Sequence, residues 1–258
     1  MNILGIGDII GKPGRKAVSV LLPGLRQQHG IDFVIANGEN AAGGIGLTPE
    51  TAQELFQSGV DVITSGNHIW AQKEILPCLD RADTPILRPA NYPPGVPGRG
   101  YLTFKKRIVV VNLIGRVFIG NYDDPFRGMD KILADLPAEP RVIIVDFHAE
   151  ATSEKVALGR YLDGRVSALL GTHTHVGTID TAILPGGTAY VTDIGMTGPV
   201  ESVIGDDIDS VLGRFLSQMP NRLSVGQGNV MFNGILVRIN EKTGKATAIE
   251  RISREVST

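Results

Sequence analysis

The sequence lacks several features that would place it in other classes of protein. It has one cysteine, Cys78, which excludes an internal disulfide and suits a reducing compartment. No apolar run approaches the ~20 residues that a membrane-spanning helix needs, so we expect no membrane partner. The first residues have no basic segment and reach a carboxylate at Asp8, which is unlike a secretory signal peptide. These absences predict a cytoplasmic protein.

Neither sign of charge is in large excess. The 258 residues contain 25 Lys and Arg against 27 Asp and Glu, which gives a formal net charge of −2. This balance gives no support for a nucleic-acid scaffold, and it argues weakly against a long RNA footprint while leaving a short RNA partner open. The hydrophobic content of 42% is typical of a globular protein. Without repeats or a linker-like stretch, residues 1–258 are predicted to form a single domain.

The first part of the chain predicts a parallel sheet. Three apolar, strand-like runs alternate with stretches of helical periodicity, and each run ends in polar residues: 2–7, 31–36 and 60–64. Thr48 and Pro49 predict the start of the second helix, whereas Pro23 and Gly24 should kink or shorten the first. Ligands of parallel sheets bind beyond the carboxyl ends of the strands, so the polar residues there are candidates for function.

The remainder of the chain mixes parallel and antiparallel signals. Lys105-Lys106 and Pro185-Gly186-Gly187 each predict the turn of a hairpin. Residues 115–127 are polar and predict an irregular active-site rim. Helices are predicted over about 153–162 and 206–216. Strands are predicted over about 101–104, 107–113, 141–147, 166–170, 178–184, 188–191, 230–239 and 246–252. This mixture predicts an α/β fold with two packed mixed sheets flanked by helices.

Two histidines, His173 and His175, directly follow the strand-like run at 166–170. On a strand, residues two apart point to the same side, so both imidazoles can converge where the strand ends. Imidazole is the commonest metal ligand in proteins. Other predicted strand ends supply polar residues to the same edge: Asp8, Glu39, Asn40, Asn67, His68 and His148. Carboxylates, amides and imidazoles without cysteine favour a pair of divalent ions over a structural zinc site.

Each of these residues, taken alone, has a structural explanation. Asp8 or Glu39 could cap a helix. Asn40 or Asn67 could hold a turn. A lone His148 could be a hydrogen-bonded polar residue of the core. Their joint occurrence at five strand ends, in one order along the chain, favours the metal site over this set of separate explanations.

Two further predictions concern residues outside this set. The stretch 11–15 suggests a phosphate-binding loop, but it lacks the Gly-x-x-x-x-Gly-Lys-Ser/Thr spacing, so a turn and a helix start are favoured. Lys12 and Arg15 are still candidates to face an anionic substrate. Asp193 is expected to organise a turn or to orient a ligating histidine.

Five blocks of the sequence resemble, in order, those of the calcineurin-like metallophosphoesterase superfamily. They are Gly7-Asp8, Gly38-Glu39-Asn40, Gly66-Asn67-His68, His148 and Gly171-Thr172-His173-Thr174-His175. Residues 7–15, 38–44 and 192–199 resemble its bacterial YmdB-type branch, which comprises cyclic-nucleotide phosphodiesterases with a dinuclear site. The resemblance covers nearly the whole chain. It implies an α/β/β/α four-layer sandwich and a homo-oligomer, either a dimer or a tetramer.

The sequence departs from the superfamily pattern at two positions. Ile10 stands where a histidine is usual, and Glu39 stands where a bridging aspartate is usual. The resemblance implies that Asn40 supplies the ligand lost at Ile10. Because an amide oxygen is harder than an imidazole nitrogen, this substitution favours Mn²⁺ or iron, with Zn²⁺ as a further candidate.

The resemblance also implies a role for each site residue. The first of two metal ions would be held by Asp8, Glu39, Asn40 and His175. The second would be held by Glu39, Asn67, His148 and His173. His68 is then left as the uncoordinated imidazole that protonates the leaving alkoxide.

Together these residues predict a hydrolytic enzyme. The leading hypothesis is a dinuclear-metal phosphodiesterase that hydrolyses small phosphodiesters, namely 2′,3′- and/or 3′,5′-cyclic nucleotides, through a metal-activated hydroxide and His68 as general acid. One alternative keeps the metals but takes a phosphomonoester or RNA as substrate. Another is a metal-binding regulatory scaffold with little activity. Turnover of cyclic nucleotides by metal-loaded protein separates the first hypothesis from the other two.

Overall fold

The computed structural model describes residues 1–137 and 142–257. Within these ranges the strands, numbered along the chain, are β1 (Asn2–Ile6), β2 (Asp8–Ile9), β3 (Phe33–Asn37), β4 (Val62–Thr64), β5 (Tyr101–Phe104), β6 (Ile108–Ile114), β7 (Val142–His148), β8 (Ala168–Thr172), β9 (Ala182–Ile183), β10 (Ala189–Val191), β11 (Met196–Pro199), β12 (Val230–Ile239) and β13 (Ala246–Val256). The helices are α1 (Gly11–His29), α2 (Pro49–Gln57), α3 (Leu76–Leu79), α4 (Pro125–Asp135), α5 (Thr152–Tyr161) and α6 (Ile208–Ser217). In the described part of the chain, every helix is too short or too polar to span a bilayer.

Two mixed sheets form the centre of the fold. The first has the order β2-β11-β12-β1-β3-β4, with β13 paired to β12. The second has the order β5-β6-β7-β8-β10-β9. Strands β1, β3 and β4 run parallel, as do β6, β7, β8 and β10, while β12, β13, β5 and β9 add antiparallel neighbours. The predicted α/β fold with two mixed sheets is confirmed.

Alternation along the strands creates three apolar layers. In β1, Ile3 packs between the two sheets, whereas Leu4 packs with Leu22 of helix α1. In β7, Val145 belongs to a third layer with Leu158 of helix α5. Successive strand residues point to opposite faces, so each sheet buries both of its faces. The layers therefore follow the order helix, sheet, sheet and helix.

Pro23 and Gly24 are predicted to kink or shorten helix α1. The helix continues through Pro23 to His29, so it is not shortened, and the kink stays a prediction. Pro23 is exposed, and the carbonyl group of Ser19 that it leaves without an intrahelical partner can be solvated there. The helix ends where Gly30 adopts φ 56°, the left-handed conformation common at helix C-termini. Helix α2 begins as predicted, because Thr48 accepts a hydrogen bond from the backbone N–H of Thr51.

Helix α4 and strands β2 and β11 are elements that the sequence patterns did not predict. Helix α4 begins at Pro125, inside the segment expected to be irregular, and Asp124 caps it by accepting two backbone N–H groups. Strands β2 and β11 are too short for alternation to be visible. Both predicted hairpins are present, although β9 is much shorter than expected. The strand predicted from Arg141 begins at Val142, and Arg141 lies outside the described residues.

In both sheets, the carboxyl ends of the central strands lie at the same edge of the fold. In the first sheet, β1 is followed by Asp8, β3 by Glu39 and β4 by Asn67. In the second, β7 ends at His148 and β8 is followed by His173. The parallel register sets His148 beside Thr172, so the last residues of neighbouring strands are level with each other. The fold therefore supplies polar groups from both sheets to one place.

Leu22→Ala should lower the free energy of unfolding by about 2–5 kcal/mol, because Leu22 is fully buried and its truncation leaves a cavity under helix α1. Val20→Ala is a matched control on the same helix, where Val20 is 57% exposed, and it should change stability by less than about 0.5 kcal/mol. Urea denaturation measures both values. Equal losses in the two variants would contradict the way in which α1 packs on the first sheet.

Candidate metal centre

His148 lies at the centre of a group of potential ligand atoms. Its ring is fully buried at the end of β7. Its Nε2 is 3.0 Å from Glu39 Oε1, 3.0 Å from His173 Nδ1 and 3.2 Å from Asn67 Oδ1. The ligand atoms of Glu39, His148 and His173 all lie within 4.8 Å of one another. A carboxylate, an amide oxygen and two imidazoles at these distances can hold a divalent ion.

A neighbouring group is formed by Asp8, Asn40 and His175. Nε2 of His175 is 3.1 Å from Asn40 Nδ2 and 3.8 Å from Asp8 Oδ1. Nδ1 of His175 is 2.6 Å from the carbonyl oxygen of Ile204, so Nδ1 carries the ring proton and Nε2 presents a lone pair. Half a turn of the Asn40 amide would present its oxygen to the same place.

The chemistry of this second group fits a cation. Asp8 is fully buried, and within the described part of the chain its Oδ1 has no hydrogen-bond partner. Its other oxygen, Oδ2, accepts the backbone N–H of His173 at 3.1 Å. A buried carboxylate oxygen without a donor is costly, and here it faces the lone pair of His175 across 3.8 Å. A metal ion would satisfy both groups at once.

Burial and charge set the protonation of the groups around His148. Burial tends to raise the pKa of Glu39, but the charge and hydrogen bond of His148 outweigh it and hold that pKa at about 2. For His148, burial tends to lower the pKa, but Glu39 raises it to about 9. Burial, reinforced by the charge of His148, lowers the pKa of His173 to about 3. Burial raises the pKa of Asp8. His148 must therefore lose a proton before it can act as a ligand.

Asp146 orients His148, and the sequence patterns did not single it out. Its Oδ1 accepts a hydrogen bond from Thr172 Oγ1 at 2.7 Å, and Thr172 Oγ1 lies 3.0 Å from His148 Nδ1. Thr64 and Asn37 also donate to Asp146. This chain of hydrogen bonds keeps a proton on Nδ1 and directs Nε2 towards the other ligand atoms. The available signal was a carboxylate two residues before His148, on the same face of an apolar strand.

Glu150 supports His173 in a similar way. Its Oε2 lies 2.9 Å from His173 Nε2, so that nitrogen donates and Nδ1 is left to face His148. Glu150 is partly exposed and lines the cleft described below. In the sequence it follows β7 by two residues, where nothing distinguishes it from an ordinary surface acid.

The loop that carries His173 and His175 has a strained backbone. The two residues have φ values of 102° and 65°, a region that costs a non-glycine residue about 1–3 kcal/mol. Asp193 holds the loop, because its Oδ2 accepts the N–H and Oγ1 of Thr174 at 3.1 and 2.8 Å. The same oxygen pairs with the fully buried Lys155 Nζ at 2.6 Å. The predicted role of Asp193 in organising a turn is confirmed.

His68 lies beside the two groups. Its backbone N–H donates to Glu39 Oε2 at 3.2 Å, and its Nε2 is 3.1 Å from Asn67 Nδ2. The residue before this pair must be glycine, since a Cβ on Gly66 would overlap Glu39 Oε2 and the ring of His148. The sequence Gly66-Asn67-His68 thus brings the backbone close to the carboxylate and leaves the partly exposed His68 ring in the cleft.

The site opens into a cleft of about 650 Å³, a volume suited to a small-molecule ligand. Predicted site residues line part of it: Glu39, Asn40, His68, His173 and His175. Asp8, Asn67 and His148 lie behind this surface, in contact with the lining residues. The remaining lining comes mainly from residues 43–45 and from a segment between 204 and 223.

The chain has two mixed sheets between helices, and carboxylates, amides and imidazoles lie at the edge that the sheets share. This is the architecture of a metallophosphoesterase. The model of the YmdB-like protein family matches residues 4–252. The chain belongs to the YmdB-like family of the metallophosphoesterase superfamily, so the predicted family is confirmed.

Similar proteins agree with this assignment over nearly the full length of the chain. A 2′,3′-cyclic-nucleotide 2′-phosphodiesterase from Bacillus subtilis (strain 168) is 48% identical over 256 residues, which cover 98% of this chain and 96% of that protein. The crystal structure of a hypothetical protein from Thermus thermophilus has a TM-score of 0.92 and 44% identity, and 99% of each chain is covered. A novel phosphatase from Mycoplasma pneumoniae has a TM-score of 0.93 and 33% identity, and 99% and 93% of the two chains are covered.

Gly66→Ala should reduce the metal content of the purified protein severalfold, because the added methyl group displaces Glu39 or His148. Gly24→Ala is the control, since among the described residues a Cβ at Gly24 has no neighbour within 4 Å and alanine favours the helix there. Elemental analysis after desalting measures metal per chain, and circular dichroism confirms that both variants are folded. A folded Gly66→Ala protein with the full metal content would contradict the crowding at Gly66.

Proposed function

We propose that the chain is a phosphodiesterase of small phosphodiesters, with 2′,3′-cyclic nucleotides as its first substrates and 3′,5′-cyclic nucleotides as further candidates. The observation that carries this proposal is the orphaned Asp8 Oδ1 beside His175, behind the same cleft surface as the ligand group around His148. As a member of the YmdB-like family, the chain is a hydrolytic enzyme. The name of the Bacillus subtilis relative supports the choice of substrate.

The proposal includes two divalent ions. One would be held by Asp8, Glu39, Asn40 and His175, and the other by Glu39, Asn67, His148 and His173. The two groups of short contacts support this division. Oε1 of Glu39 faces His148, whereas Oε2 accepts the backbone N–H of His68. The oxygen-rich donor set favours Mn²⁺ or iron over Zn²⁺. When bound, such ions supply Lewis-acid chemistry that neutralises phosphoryl oxygens and makes water a nucleophile near neutral pH.

His68 is proposed as the general acid. Its ring lines the cleft, and among the residues that the structure describes it is the one predicted site histidine whose ring contacts neither another imidazole nor a carboxylate side chain. Asn67 Nδ2 donates to its Nε2, so in the neutral ring the proton is carried on Nδ1. Transfer of a proton from this ring to the leaving alkoxide would contribute about 10²- to 10⁴-fold to the rate. Asp146 and Glu150 would act through the histidines that they orient.

A second candidate function is the hydrolysis of phosphomonoesters by the same residues. The Mycoplasma pneumoniae structure, described as that of a phosphatase, favours it. A phosphomonoester places the same phosphoryl group at the metal centre and differs only in the charge and in the number of ester bonds.

Two further features belong to this proposal. Residues 1–258 are proposed to act as one domain, since the candidate site takes side chains from both sheets.

The chain is also proposed to form a homo-oligomer. Helix α6 exposes apolar side chains of the kind that contacts between subunits bury: Leu212, Phe215 and Leu216.

Protein loaded with Mn²⁺ should hydrolyse 2′,3′-cyclic AMP, a chelator should abolish turnover, and added Mn²⁺ should restore it, because the proposed reaction depends on the metal centre. Chromatography of the products measures the activity and shows which ester bond is cleaved. The same protein is assayed in parallel on 3′,5′-cyclic AMP, p-nitrophenyl phosphate and a short RNA. Turnover of phosphomonoesters alone would support the second candidate. A fully metallated sample that hydrolyses no phosphoester would contradict both.

His68→Ala should retain its metal ions but lose about 10²- to 10⁴-fold in kcat on cyclic nucleotides, whose leaving alkoxide needs a proton. The loss should be much smaller on bis-p-nitrophenyl phosphate, because nitrophenolate leaves without protonation. His29→Ala, at the end of helix α1, is the control and should keep both activities. Equal losses of kcat on the two substrates would remove His68 from the role of general acid.

A further inference from the structure

Residues 204–223 supply a large part of the cleft lining, and the proposed reaction gives them no role. The lining residues of this segment are Ile204, Asp206, Arg214, Asn221, Arg222 and Leu223. The segment is tied to the metal centre, because the carbonyl oxygen of Ile204 contacts His175 Nδ1 at 2.6 Å. Its base is closed by β-bridges that join Asp206 to Val203 and to Val225. Residues 204–223 therefore form an ordered segment that leaves the core beside the site and returns to it, and this segment is called the excursion below.

Helix α6 and the residues after it bring two arginines to one surface. Asp207 caps the helix by accepting the N–H of Ser210 at 2.9 Å. Gln218 ends it with φ 56°, and the chain then turns back, so that Asn221 Nδ2 donates to the carbonyl oxygen of Ser210 at 3.4 Å. As a result, both Arg214 on the helix and Arg222 on the segment that follows it line the cleft.

These two arginines have free donors, unlike most others in the protein. Six arginines pair with a carboxylate: Arg15, Arg26, Arg81, Arg107, Arg116 and Arg165. Four donate to backbone carbonyl groups: Arg88, Arg99, Arg251 and Arg254. Across residues 1–137 and 142–257, the side chains of Arg214 and Arg222 have neither kind of partner. Their guanidinium groups are exposed and available to a ligand.

Arg15 shows the contrast, since the sequence made it a candidate to face an anionic substrate. Its guanidinium is bound to Glu54 and to the carbonyl oxygen of Ala41. It is thereby part of the support of the glycine-rich loop that follows Asn40 and does not line the cleft. The free cationic groups of the cleft lining are instead Arg214 and Arg222.

The arginines border the metal centre without belonging to it. Asp206, His175, Arg214 and Arg222 line the same cleft, and Asp206 lies two residues from Ile204, whose carbonyl oxygen contacts His175. A guanidinium group offers five donors in a planar fork that matches phosphate oxygens. The proposed function places one phosphate group at the metal centre. Two guanidinium groups in the same cleft can bind a second phosphate group.

We propose that Arg214 and Arg222 form a subsite for a second phosphate group, so that preferred substrates carry a phosphate in addition to the scissile one. This proposal rests on the proposed function for the identity of the scissile group. A second phosphate is present in a cyclic mononucleotide that has a 5′-phosphate. It is also present, as a phosphodiester, in an oligonucleotide that ends in a cyclic phosphate.

The subsite is tested first by binding, which needs no turnover. Adenosine 3′,5′-bisphosphate should bind Mn²⁺-loaded protein about tenfold more tightly than adenosine 3′-monophosphate, the effect of one charge-assisted hydrogen bond at an exposed site. Arg214→Gln and Arg222→Gln should each reduce this ratio, and the double variant should bring it close to one. Arg127→Gln is the matched control, because Arg127 is also exposed, helical and outside the cleft lining, and it should keep the ratio. Calorimetry measures the unmodified protein and all four variants. A ratio near one in the unmodified protein, or a ratio that survives in the double variant, would overturn the proposal.

Turnover then separates the sources of the second phosphate and the two proposals from each other. The substrates are 2′,3′-cyclic AMP, its 5′-phosphorylated form, and a diadenylate that ends in a 2′,3′-cyclic phosphate. A higher kcat/KM for the second identifies a terminal phosphate, and a higher value for the third identifies an internal phosphodiester. If none is hydrolysed but the bisphosphate still binds more tightly in an Arg214-dependent manner, the subsite stands and the proposed function fails. If all three are hydrolysed equally and the two ligands bind equally, the proposed function stands and the subsite is wrong.

Discussion

Two carboxylates are buried where the two sheets meet, and the organisation of the site follows from the need to compensate their charge. Glu39 is compensated by His148, whose Nε2 lies 3.0 Å from it. Asp8 is compensated on one oxygen by the backbone of His173, while its other oxygen has no donor among the described residues. A buried carboxylate either takes up a proton, the direction in which burial shifts the pKa of Asp8, or is joined by a cation. The nearby lone pair of His175 and the amide of Asn40 are groups that could bind such a cation together with Asp8.

The histidines arrive at these carboxylates with their orientation already fixed. Asp146 acts on His148 through Thr172, and Glu150 acts on His173 directly. The left-handed backbone of the histidine loop is stabilised by Asp193, whose charge is in turn balanced by Lys155. A buried pair of this kind adds little net stability, and its value here is that it holds one conformation of the loop. The potential ligand atoms are thus held close together by contacts of the protein itself.

The sequence could predict which polar side chains meet at the shared edge, because strand ends are local features. Asp8, Glu39 and His148 each follow an apolar run, and parallel strands bring such ends to one edge by geometry alone. Contacts between distant segments could not be predicted in this way: Asn37 donates a hydrogen bond to Asp146 across 109 residues, and the position of Asp146 on the strand before His148 does not reveal that partner. Helix α4 was missed because its first residues lie in a polar segment, and its cap at Asp124 becomes recognisable only once the helix is known. Arg214 and Arg222 carry no pattern at all, since only the fold shows which arginines lack a partner.

The cleft therefore joins surfaces of two different kinds. One consists of strand ends, whose positions are set by backbone pairing and by side chains from two sheets, so it can vary little. The other is the excursion between 204 and 223, whose helix has only Val211 buried and whose cleft-lining arginines are held by no partner across the described part of the chain. The hydrogen bond between His175 Nδ1 and Ile204 connects them. Because the same bond fixes the ring that faces Asp8, a displacement of residues 204–223 would also turn His175, a proposed metal ligand. The proposed recognition of a second phosphate and the orientation of His175 would thus both depend on residues 204–223.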